Sequence, residues 1–431
     1  MRLILPSALL ALAALASSAC DDGAQTTQPT PTPTPEIAQS ALARDLTPEV
    51  PAADLEAAVA GNTAFAFDLY RELSAEPGNL LFSPHSVSIA MAMAWSGAVG
   101  TTADELAGAL HYDLPGAQLH PAFNALDLAL SSRGQGALGA DGEPFRLRVV
   151  NAAWAQAGYP FLAPYLDTLA LHYGAGVRLV DFAEATEAAR QTINGWVSEQ
   201  TEARIPELLS QGAVDPSTRF VLTNAVYFNA AWEFPFDADN TAPGAFTRLD
   251  GSTVQVPLMR EVETHPYAAA NGWMAVELPY DGGEVAILIA TADDFATFEA
   301  GLDEATVAAI DGALAPTYVD LRLPKFEYRT SAQLVPALSH LGVSAAFGPG
   351  ADFSAIDGTR DLVISGIIHQ AFIKLDEEGT EAAAATAVVF AGTSVPPEPV
   401  AARFDRPFVY LIRDVATGAV LFVGRVVDPT L

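Results

Sequence analysis

Residue types that can perform catalysis occur in this sequence, but their spacing matches no common catalytic pattern. There is no G-x-S-x-G, H-E-x-x-H, Walker or G-x-G-x-x-G motif, and no two of the seven histidines stand at metal-ligand spacing. Ser83 and His85 stand two positions apart, a spacing that rarely forms a nucleophile and its base. The acidic run 376–378 lacks the alternating oxygen ligands of a calcium loop after it. We therefore predict a protein that is not an enzyme and has no metal or cofactor.

The most informative segment runs from Glu377 to Ser394 and reads EEGTEAAAATAVVFAGTS. Alanine is the best helix former, so propensity alone predicts a helix here. Gly379 favours a flexible pivot instead, and small residues alternate after it. In a strand one face would carry Thr380, Ala382, Ala384 and Thr386, while Glu381 would face solvent. Such a narrow face could enter a slot between existing strands, and composition alone leaves both alternatives open.

Composition indicates a globular protein and excludes some partners. Of 431 residues, 50% are hydrophobic and 17% are charged, which is enough to build a large core. The formal net charge is −31, and the only lysines are Lys325 and Lys374. A surface this acidic repels nucleic acid and heparin-type glycans, so we expect neither as a partner.

The N-terminus has the pattern of an exported protein. Residues 1–19 place Arg2 before an apolar run and end in small residues, as in a signal peptide. Cys20 follows directly and resembles a bacterial lipoprotein processing site, although Ser17 stands where such sites usually have leucine. The alternative is an ordinary secretory peptide. Residues 20–51 are predicted to be a lipidated N-terminus and a Thr/Pro-rich linker, which would give an exported protein that is either membrane-anchored or secreted.

Apolar periodicity predicts helices early in the chain and strands late, which indicates an α+β domain over residues 52–431. Predicted helices cover 54–73, 86–95, 103–110 and 184–201, with Thr102 and Glu105 at capping-box spacing before the third. Predicted strands cover 145–154 and 219–228. A terminal hairpin, 408–412 with 420–427, is predicted around Thr417-Gly418.

Several ordered motifs between residues 54 and 430 resemble those of one family. They are NLLFSPHS at 79–86, GAVGTT at 97–102, NAAW at 151–154, TNAVYF at 223–228, LPKF at 323–326, ADFS at 351–354, EEGTEAAAAT at 377–386, RPF at 406–408 and LFVGR at 421–425. In this order and spacing, the chain resembles an inhibitory serpin. The resemblance implies about nine helices around three β-sheets, with a large five-stranded sheet A and an exposed reactive-centre loop.

The resemblance also implies a mechanism. A protease attacks the loop and forms an acyl-enzyme, and the freed hinge then inserts into sheet A before water can release the enzyme. The implied hinge comprises Glu377, Gly379, Thr380, Glu381, Ala382, Ala383, Ala384, Ala385 and Thr386. Counting fourteen residues from Gly379, as the family pattern does, places the reactive bond between Thr393 and Ser394.

Two further groups match family positions that control the opening of the sheet. Ser83, Ser86, Asn224 and His369 match the shutter, a buried polar network below the point where the sheet parts. Trp232, Lys325 and Glu377 match the breach, where the hinge enters, and Lys325 is the predicted ion-pair partner of Glu377. Lys374 stands where many relatives have an acidic residue.

The loop sequence restricts the possible targets. No lysine or arginine lies between Lys374 and Arg403, which disfavours trypsin-like proteases. We predict a monomer that forms a covalent one-to-one complex with an elastase- or subtilisin-like serine protease. Phe390 would suit a chymotrypsin-like enzyme if the register slips. The alternatives are a cross-class inhibitor of cysteine proteases, or a non-inhibitory serpin acting as carrier, chaperone or surface protein.

Overall fold

The helices predicted in the first half of the chain are confirmed, and most lie within two residues of their predicted bounds. The computed structural model describes residues 35–380 and 398–431. Its α-helices are α1 (Ala52–Leu73), α2 (Pro84–Trp95), α3 (Thr101–Ala109), α4 (Gly116–Ser131), α5 (Ala163–Tyr173), α6 (Phe182–Gln200), α7 (Phe295–Ala300), α8 (Glu304–Ala313), α9 (Val335–His340) and α10 (Ser354–Asp357). Helix α2 is buried on all sides up to its last residue, because its sequence is almost entirely apolar.

Strands dominate the second half of the described chain. They are β1 (Glu36–Ala38), β2 (Leu80–Phe82), β3 (Arg146–Gln156), β4 (Val177–Val180), β5 (Phe220–Ala231), β6 (Ala242–Thr247), β7 (Thr253–Ala270), β8 (Trp273–Pro279), β9 (Val285–Ala292), β10 (Ala315–Pro324), β11 (Phe326–Gln333), β12 (Gly366–Leu375), β13 (Gly379–Thr380), β14 (Val400–Arg403), β15 (Phe408–Asp414) and β16 (Val420–Val426). The predicted terminal hairpin is confirmed as β15 and β16. Helices and strands together confirm the α+β class.

The first sheet has the order β1-β4-β3-β5-β13-β12-β11. Five of these strands form the expected sheet A. The other two are short additions: β1 extends one edge, and β13 lies between β5 and β12. Both faces of β5 are covered, which explains its uninterrupted run of buried residues.

The second sheet has the order β14-β10-β7-β8-β9-β15-β16-β2, with β6 also paired to β7. The 18-residue strand β7 pairs with three strands in succession. Its residues 253–258 pair with β6, residues 258–267 with β10, and residues 267–270 with β8. It thereby joins the two smaller sheets expected from the family into one hydrogen-bonded sheet. The described residues contain ten α-helices, compared with the expected nine or so.

Residues 35–51 pack onto the domain, although the sequence analysis placed them in a linker. Strand β1 pairs with the edge strand β4. Further along, Arg44 forms an ion pair with Asp127 at 2.6 Å, and its Nε donates to Asn124 Oδ1 at 2.8 Å, both on α4. These residues belong to the same compact unit as the rest of the described chain. The predicted signal peptide and residues 20–34 of the predicted linker, including Cys20, lie outside the described residues.

The predicted capping box at α3 is wrong. The helix begins one residue after Gly100, and Thr102 lies inside it with its hydroxyl accepting from the Asp352 backbone N–H at 2.9 Å. Glu105 instead accepts from the backbone N–H groups of Ser344 and Ala345, each at 2.7 Å. Both side chains therefore bind backbone N–H groups of residues 344–352 and hold that segment against α3. These N–H groups compete with those at the start of the helix for the same side-chain oxygens.

Candidate functional site

The glycine of the hinge lies against the backbone of β5. Gly379 is in register with Ala231, and its φ is +148°. A Cβ at this position would lie 2.2 Å from the Ala230 carbonyl oxygen and 2.8 Å from the Ala231 Cα. Only glycine lets the backbones of β13 and β5 approach this closely. This explains in physical terms why the pivot predicted from the sequence has no side chain.

Thr380 is the first hinge residue whose side chain enters the slot. It is in register with Ala230 on β5 and with Leu375 on β12, and it is 1% exposed. Its hydroxyl is hydrogen bonded to the Tyr280 hydroxyl at 2.8 Å. Because successive side chains alternate in a strand, the predicted even-numbered face of the hinge is the one that points into the core at this position.

A tight turn over residues 376–379 anchors the hinge to Trp232. The Asp376 backbone N–H donates to the Gly379 carbonyl at 3.0 Å, and the Trp232 indole N–H donates to the Asp376 carbonyl at 2.9 Å. The Trp232 backbone N–H also donates to the Glu378 carbonyl at 2.8 Å. The Trp232 ring stacks on Tyr280 with centroids 4.7 Å apart. Trp232 thus supports both the turn, through its two hydrogen bonds, and the Thr380 pocket, through its stacking on Tyr280.

Glu377 is held by two side chains at the mouth of the slot. Lys325 Nζ lies 2.5 Å from one carboxylate oxygen, and the Thr241 hydroxyl donates to the other at 2.7 Å. Burial raises the pKa of Glu377, but the hydrogen bonds from Lys325 and Thr241 outweigh it and hold the pKa below its usual value. The structure therefore contains the ion pair predicted from the sequence.

Lys374, which the sequence analysis could not explain, also has an ionic partner. Its Nζ lies 3.0 Å from Asp376 Oδ2. The same aspartate accepts from the Glu378 backbone N–H at 3.1 Å through its other oxygen. Lys374 therefore supports the turn that leads into the hinge. Both lysines of the chain contact this short segment.

The four predicted shutter residues lie together in a buried network. Helix α2 supplies Ser83 as its N-cap and Ser86 in its first turn, with the Ser86 backbone N–H donating to Ser83 Oγ at 3.2 Å. Asn224 on β5 donates to the Ser86 hydroxyl, which in turn donates to Asn151 Oδ1 at 3.0 Å. Asn224 also donates to Asn151 Oδ1 at 2.6 Å. The network therefore links α2 to strands β3 and β5.

His369 extends this network across to β12. It is in register with Asn224, and its Nδ1 is hydrogen bonded to Asn224 Oδ1. Its Nε2 accepts from the Ser83 backbone N–H at 3.2 Å, so the proton of the neutral ring lies on Nδ1. Burial lowers the pKa of His369 to about 3, which keeps the ring neutral at physiological pH.

Strands β5 and β12 are therefore arranged differently along their length. They pair directly, in parallel, from Val221 with Gly366 to Val226 with Ala371. Beyond this stretch, at the C-terminal ends of β5 and β12, strand β13 lies between them and pairs with each. The sheet is closed at the shutter and already parted at the breach. The predicted hinge residues 381–386 and the predicted reactive bond Thr393–Ser394 lie outside the described residues.

Comparison with known proteins decides the family. A model of the serpin (serine protease inhibitor) family matches residues 60–429. This chain belongs to the serpin family. An uncharacterised serpin-like protein of Thermococcus kodakarensis is 38% identical, with 85% of this chain and 84% of that protein aligned. Leukocyte elastase inhibitor A of Mus musculus is 36% identical, with 87% of this serpin and all of that protein aligned.

Solved structures agree with the fold of this serpin. Human thyroxine-binding globulin, complexed with thyroxine, superposes with a TM-score of 0.78 at 28% identity, covering 87% of this chain and 99% of that one. The thermophilic serpin tengpin, in its native state, gives a TM-score of 0.78 at 24% identity, covering 91% and 97%.

Three residues of this serpin's site were not assigned by the sequence analysis. Asn151 was quoted in a motif but not placed in the shutter, although one amide in the apolar run VVNAAWA indicates a buried polar contact. Thr241 and Tyr280 carry no such signal, because they reach the hinge from distant parts of the chain.

Within residues 35–380 and 398–431, no three His, Cys, Asp or Glu side chains cluster as metal ligands. No helix in the same residues combines the length and the apolar character needed to cross a membrane.

Proposed function

We propose that this serpin is a suicide-substrate inhibitor of serine endopeptidases. A target protease would cleave the loop at Thr393–Ser394 and remain bound as an acyl-enzyme while the hinge inserts into sheet A. The observation that supports this most strongly is the position of Gly379 and Thr380, which already form a short strand between β5 and β12. Insertion would thus extend a strand that has already begun, and would not have to start a new one.

The residues that follow suit this extension. Thr380 enters its pocket because it is small and its hydroxyl pairs with Tyr280. Ala382, Ala384 and Thr386 would point in the same direction, and each is equally small. A hinge with bulky or charged residues at these positions would resist burial between two strands.

Trapping the enzyme would follow from distance and strain. If about eleven to fourteen loop residues become strand, the acylated end moves by roughly 36–48 Å. The bound protease moves with it and is pulled against the body of the inhibitor. Catalytic geometry tolerates little displacement, since a shift of about 1 Å can slow a reaction about 100-fold. The acyl bond would then persist, and one inhibitor would be consumed for each protease.

We propose elastase-like and subtilisin-like proteases as targets. The residues proposed to flank the bond are small, and residues 375–402 contain no lysine or arginine. The relatives named as leukocyte elastase inhibitors, among them the human protein at 35% identity, support this class. Phe390 remains the proposed bait for a chymotrypsin-like enzyme, and a cysteine protease is the further alternative.

The proposal is tested by incubating the full-length protein with elastase-, subtilisin-, chymotrypsin- and trypsin-like enzymes and separating the products on denaturing gels. We expect a band at the summed mass that survives denaturation with an elastase- or subtilisin-like enzyme, and none with the trypsin-like enzyme. Mass spectrometry of the released C-terminal peptide would locate the cleaved bond. Cleavage near Thr393 without a stable complex from any protease would contradict inhibition and favour the non-inhibitory alternative.

The setting of this activity is a second part of the proposal. We propose that the protein is exported by residues 1–19, acts as a monomer, and is anchored to a membrane only through lipid on Cys20. Labelling of the expressed protein with a fatty-acid analogue, compared with a Cys20→Ala variant, tests the anchor. Equal labelling of the two proteins would contradict it.

A further inference from the structure

Three arginines stand side by side on neighbouring strands of the second sheet. Arg322 on β10 is in register with Arg260 on β7 and with Arg403 on β14. Adjacent strands lie about 4.8 Å apart, so the three backbones span only about 10 Å. We name Arg260, Arg322 and Arg403 the arginine row. Arg260 and Arg322 are 43% and 38% exposed in their side chains, and Arg403 is exposed.

The row has too few carboxylates to balance its charge. Asp320, two residues before Arg322 on the same strand, accepts two hydrogen bonds from Arg260, at 2.8 and 3.2 Å. Arg322 Nε lies 3.9 Å from the same carboxylate and has no hydrogen-bond partner among the described residues. No carboxylate of the described residues lies within ion-pair distance of Arg403. Asp320 is thus the one carboxylate among the described residues within ion-pair distance of the row, and it reaches only Arg260 and Arg322.

The register that places the three arginines side by side also brings all three close to Asp320. Its pKa is lowered first by the hydrogen bonds from Arg260, and then by the charges of Arg260, Arg322 and Arg403. Like charges directly opposite each other across strands destabilise a sheet. The row is therefore a positive surface that Asp320 compensates only in part, in a chain whose net charge is −31.

The position of the row along the chain relates it to the reactive loop. Arg403 is nine residues after Ser394, so the two are at most about 30 Å apart along an extended chain. A compact protease domain of about 240 residues has a diameter of about 45 Å. An enzyme bound at the proposed reactive bond is therefore large enough to reach the row on the C-terminal side of the cleavage point.

We propose that the arginine row is a secondary docking surface for an acidic patch on the target protease, next to the part of its cleft that binds residues after the cleaved bond. This inference rests on the proposed function, because it names a partner for the same loop. Fixed positive charge would attract such an enzyme from a distance and orient it on the loop. The rest of the acidic surface would repel it from unproductive positions. Acidic enzymes would be captured faster than basic ones of equal cleavage specificity.

The test uses one subtilisin-like protease in two surface forms, with aspartates or with lysines introduced around that part of its cleft. The triple variant Arg260→Gln, Arg322→Gln, Arg403→Gln is compared with a matched control, Arg71→Gln, Arg148→Gln, Arg360→Gln. The control removes the same charge from arginines with 48%, 45% and 76% exposed side chains elsewhere. Association rate constants are measured at low and at high salt, together with melting temperatures of all variants to show that they fold.

We expect the row variant to associate with the aspartate form about tenfold more slowly than the native protein at low salt, with the difference shrinking at high salt. The lysine form should show no loss, and the control variant should behave like the native protein with both forms. Equal rates for the row and control variants would overturn the docking surface.

A second measurement separates this inference from the proposed function. Protease forms with the catalytic serine replaced by alanine dock without acylation, so the difference in their affinity for the native protein and the row variant reports on the row and not on trapping. Weaker binding of the aspartate form to the row variant supports the docking surface even if no stable complex forms. Stable complexes combined with row-independent binding would support the proposed function and overturn the docking surface.

Discussion

The breach and the shutter are two parts of one sheet, and they differ in how β5 and β12 meet. At the breach the strands are parted, and Gly379 and Thr380 fill the gap. At the shutter they pair directly, and His369 bonds to Asn224 across the same seam. One end of the sheet already has the arrangement that insertion would extend, and the other end would have to be opened.

This difference places the main resistance to strand insertion at the shutter. The breach is filled by small residues and main-chain contacts, which the next hinge residues can repeat. At the shutter, a ladder from Val221–Gly366 to Val226–Ala371 must separate, and a buried polar network must find new partners. Buried polar groups that lose their partners cost about 1–3 kcal/mol each. Under the proposed function, the shutter would hold the sheet closed until cleavage frees the loop.

The largest expected effect comes from placing a charge in the breach. Thr380→Arg buries a guanidinium beside Tyr280, and an unpaired buried charge costs about 3–5 kcal/mol. The variant should be cleaved as a substrate, with the stoichiometry of inhibition rising about tenfold or more in titrations of protease activity. Thr380→Ser keeps the hydroxyl and should inhibit like the native protein. An unchanged stoichiometry for the arginine variant would show that this residue does not have to enter the sheet.

A second change tests the close approach at the pivot. In Gly379→Val the side chain meets the backbone of Ala230 and Ala231, and overpacking of this kind costs about 1–3 kcal/mol. We expect a smaller, several-fold rise in the stoichiometry of inhibition. Gly418→Ala is the control, because Gly418 has a positive φ of 73° but open space around it. Equal behaviour of the two variants would contradict a tight fit at Gly379.

The shutter should respond to pH through His369. Its pKa falls from about 6.5 in the unfolded chain to about 3 in the native protein, so the unfolded state takes up the proton first as pH falls. The stabilising contribution of this residue is complete above pH 6.5, and about 1.4 kcal/mol is lost per pH unit below that value, down to about pH 3.

Comparison with His369→Phe isolates this contribution. The variant leaves Ser83 and Asn224 without their partner, so at pH 7 it should melt below the native protein, with a cost of about 1–3 kcal/mol. The gap between the two melting temperatures should narrow as pH falls from 7 to 4. His340→Phe, at a site with a 72% exposed side chain, is the control. A gap that does not change with pH would count against the buried neutral histidine.

The smallest expected effect is at the mouth of the breach. Glu377→Gln removes the ion pair with Lys325, whose side chain is 35% exposed, so the loss should be only about 0.5–1 kcal/mol. The backbone amides of Trp232 and Phe236, which donate to the carbonyls of Glu378 and Glu377, should exchange hydrogen about two- to five-fold faster. Amides of residues 366–371 at the shutter should not change. Equal acceleration at both ends would mean that the two regions are not independent.

Much of the fold could be predicted because its patterns are local or belong to the family. The apolar run of α2, the strand β5 and the terminal hairpin follow from periodicity and turn residues. The hydrogen-bond partners of Glu105 could not be predicted. Its capping-box spacing is the same whether the carboxylate accepts from its own helix or from residues 344–345. The edge strand β1 was missed because three residues without a clear pattern become a strand only when β4 is beside them.

The candidate site likewise contains features that could be predicted from the sequence and features that could not. The family resemblance predicted that Trp232 and Lys325 lie near Glu377 and that His369 lies near the other shutter residues, and the structure brings these side chains together. The position of Gly379 and Thr380 between β5 and β12 depends on three separate segments of the chain meeting. The residue pattern of the hinge alone could therefore not predict it. The pairing of Lys374 with Asp376 was also missed, because the expected residue type at that position was acidic.

Thermal unfolding before and after cleavage of the loop shows whether the hinge is ready to complete an inserted strand. The loop is cut near residue 393 by a protease that cleaves without being trapped, and the melting temperatures of the cut and intact full-length protein are compared. Insertion would add a central strand to sheet A, so the cut protein should melt well above the intact one, and the cut Thr380→Arg variant should show much less gain. Equal melting temperatures for the cut and intact native protein would contradict the account.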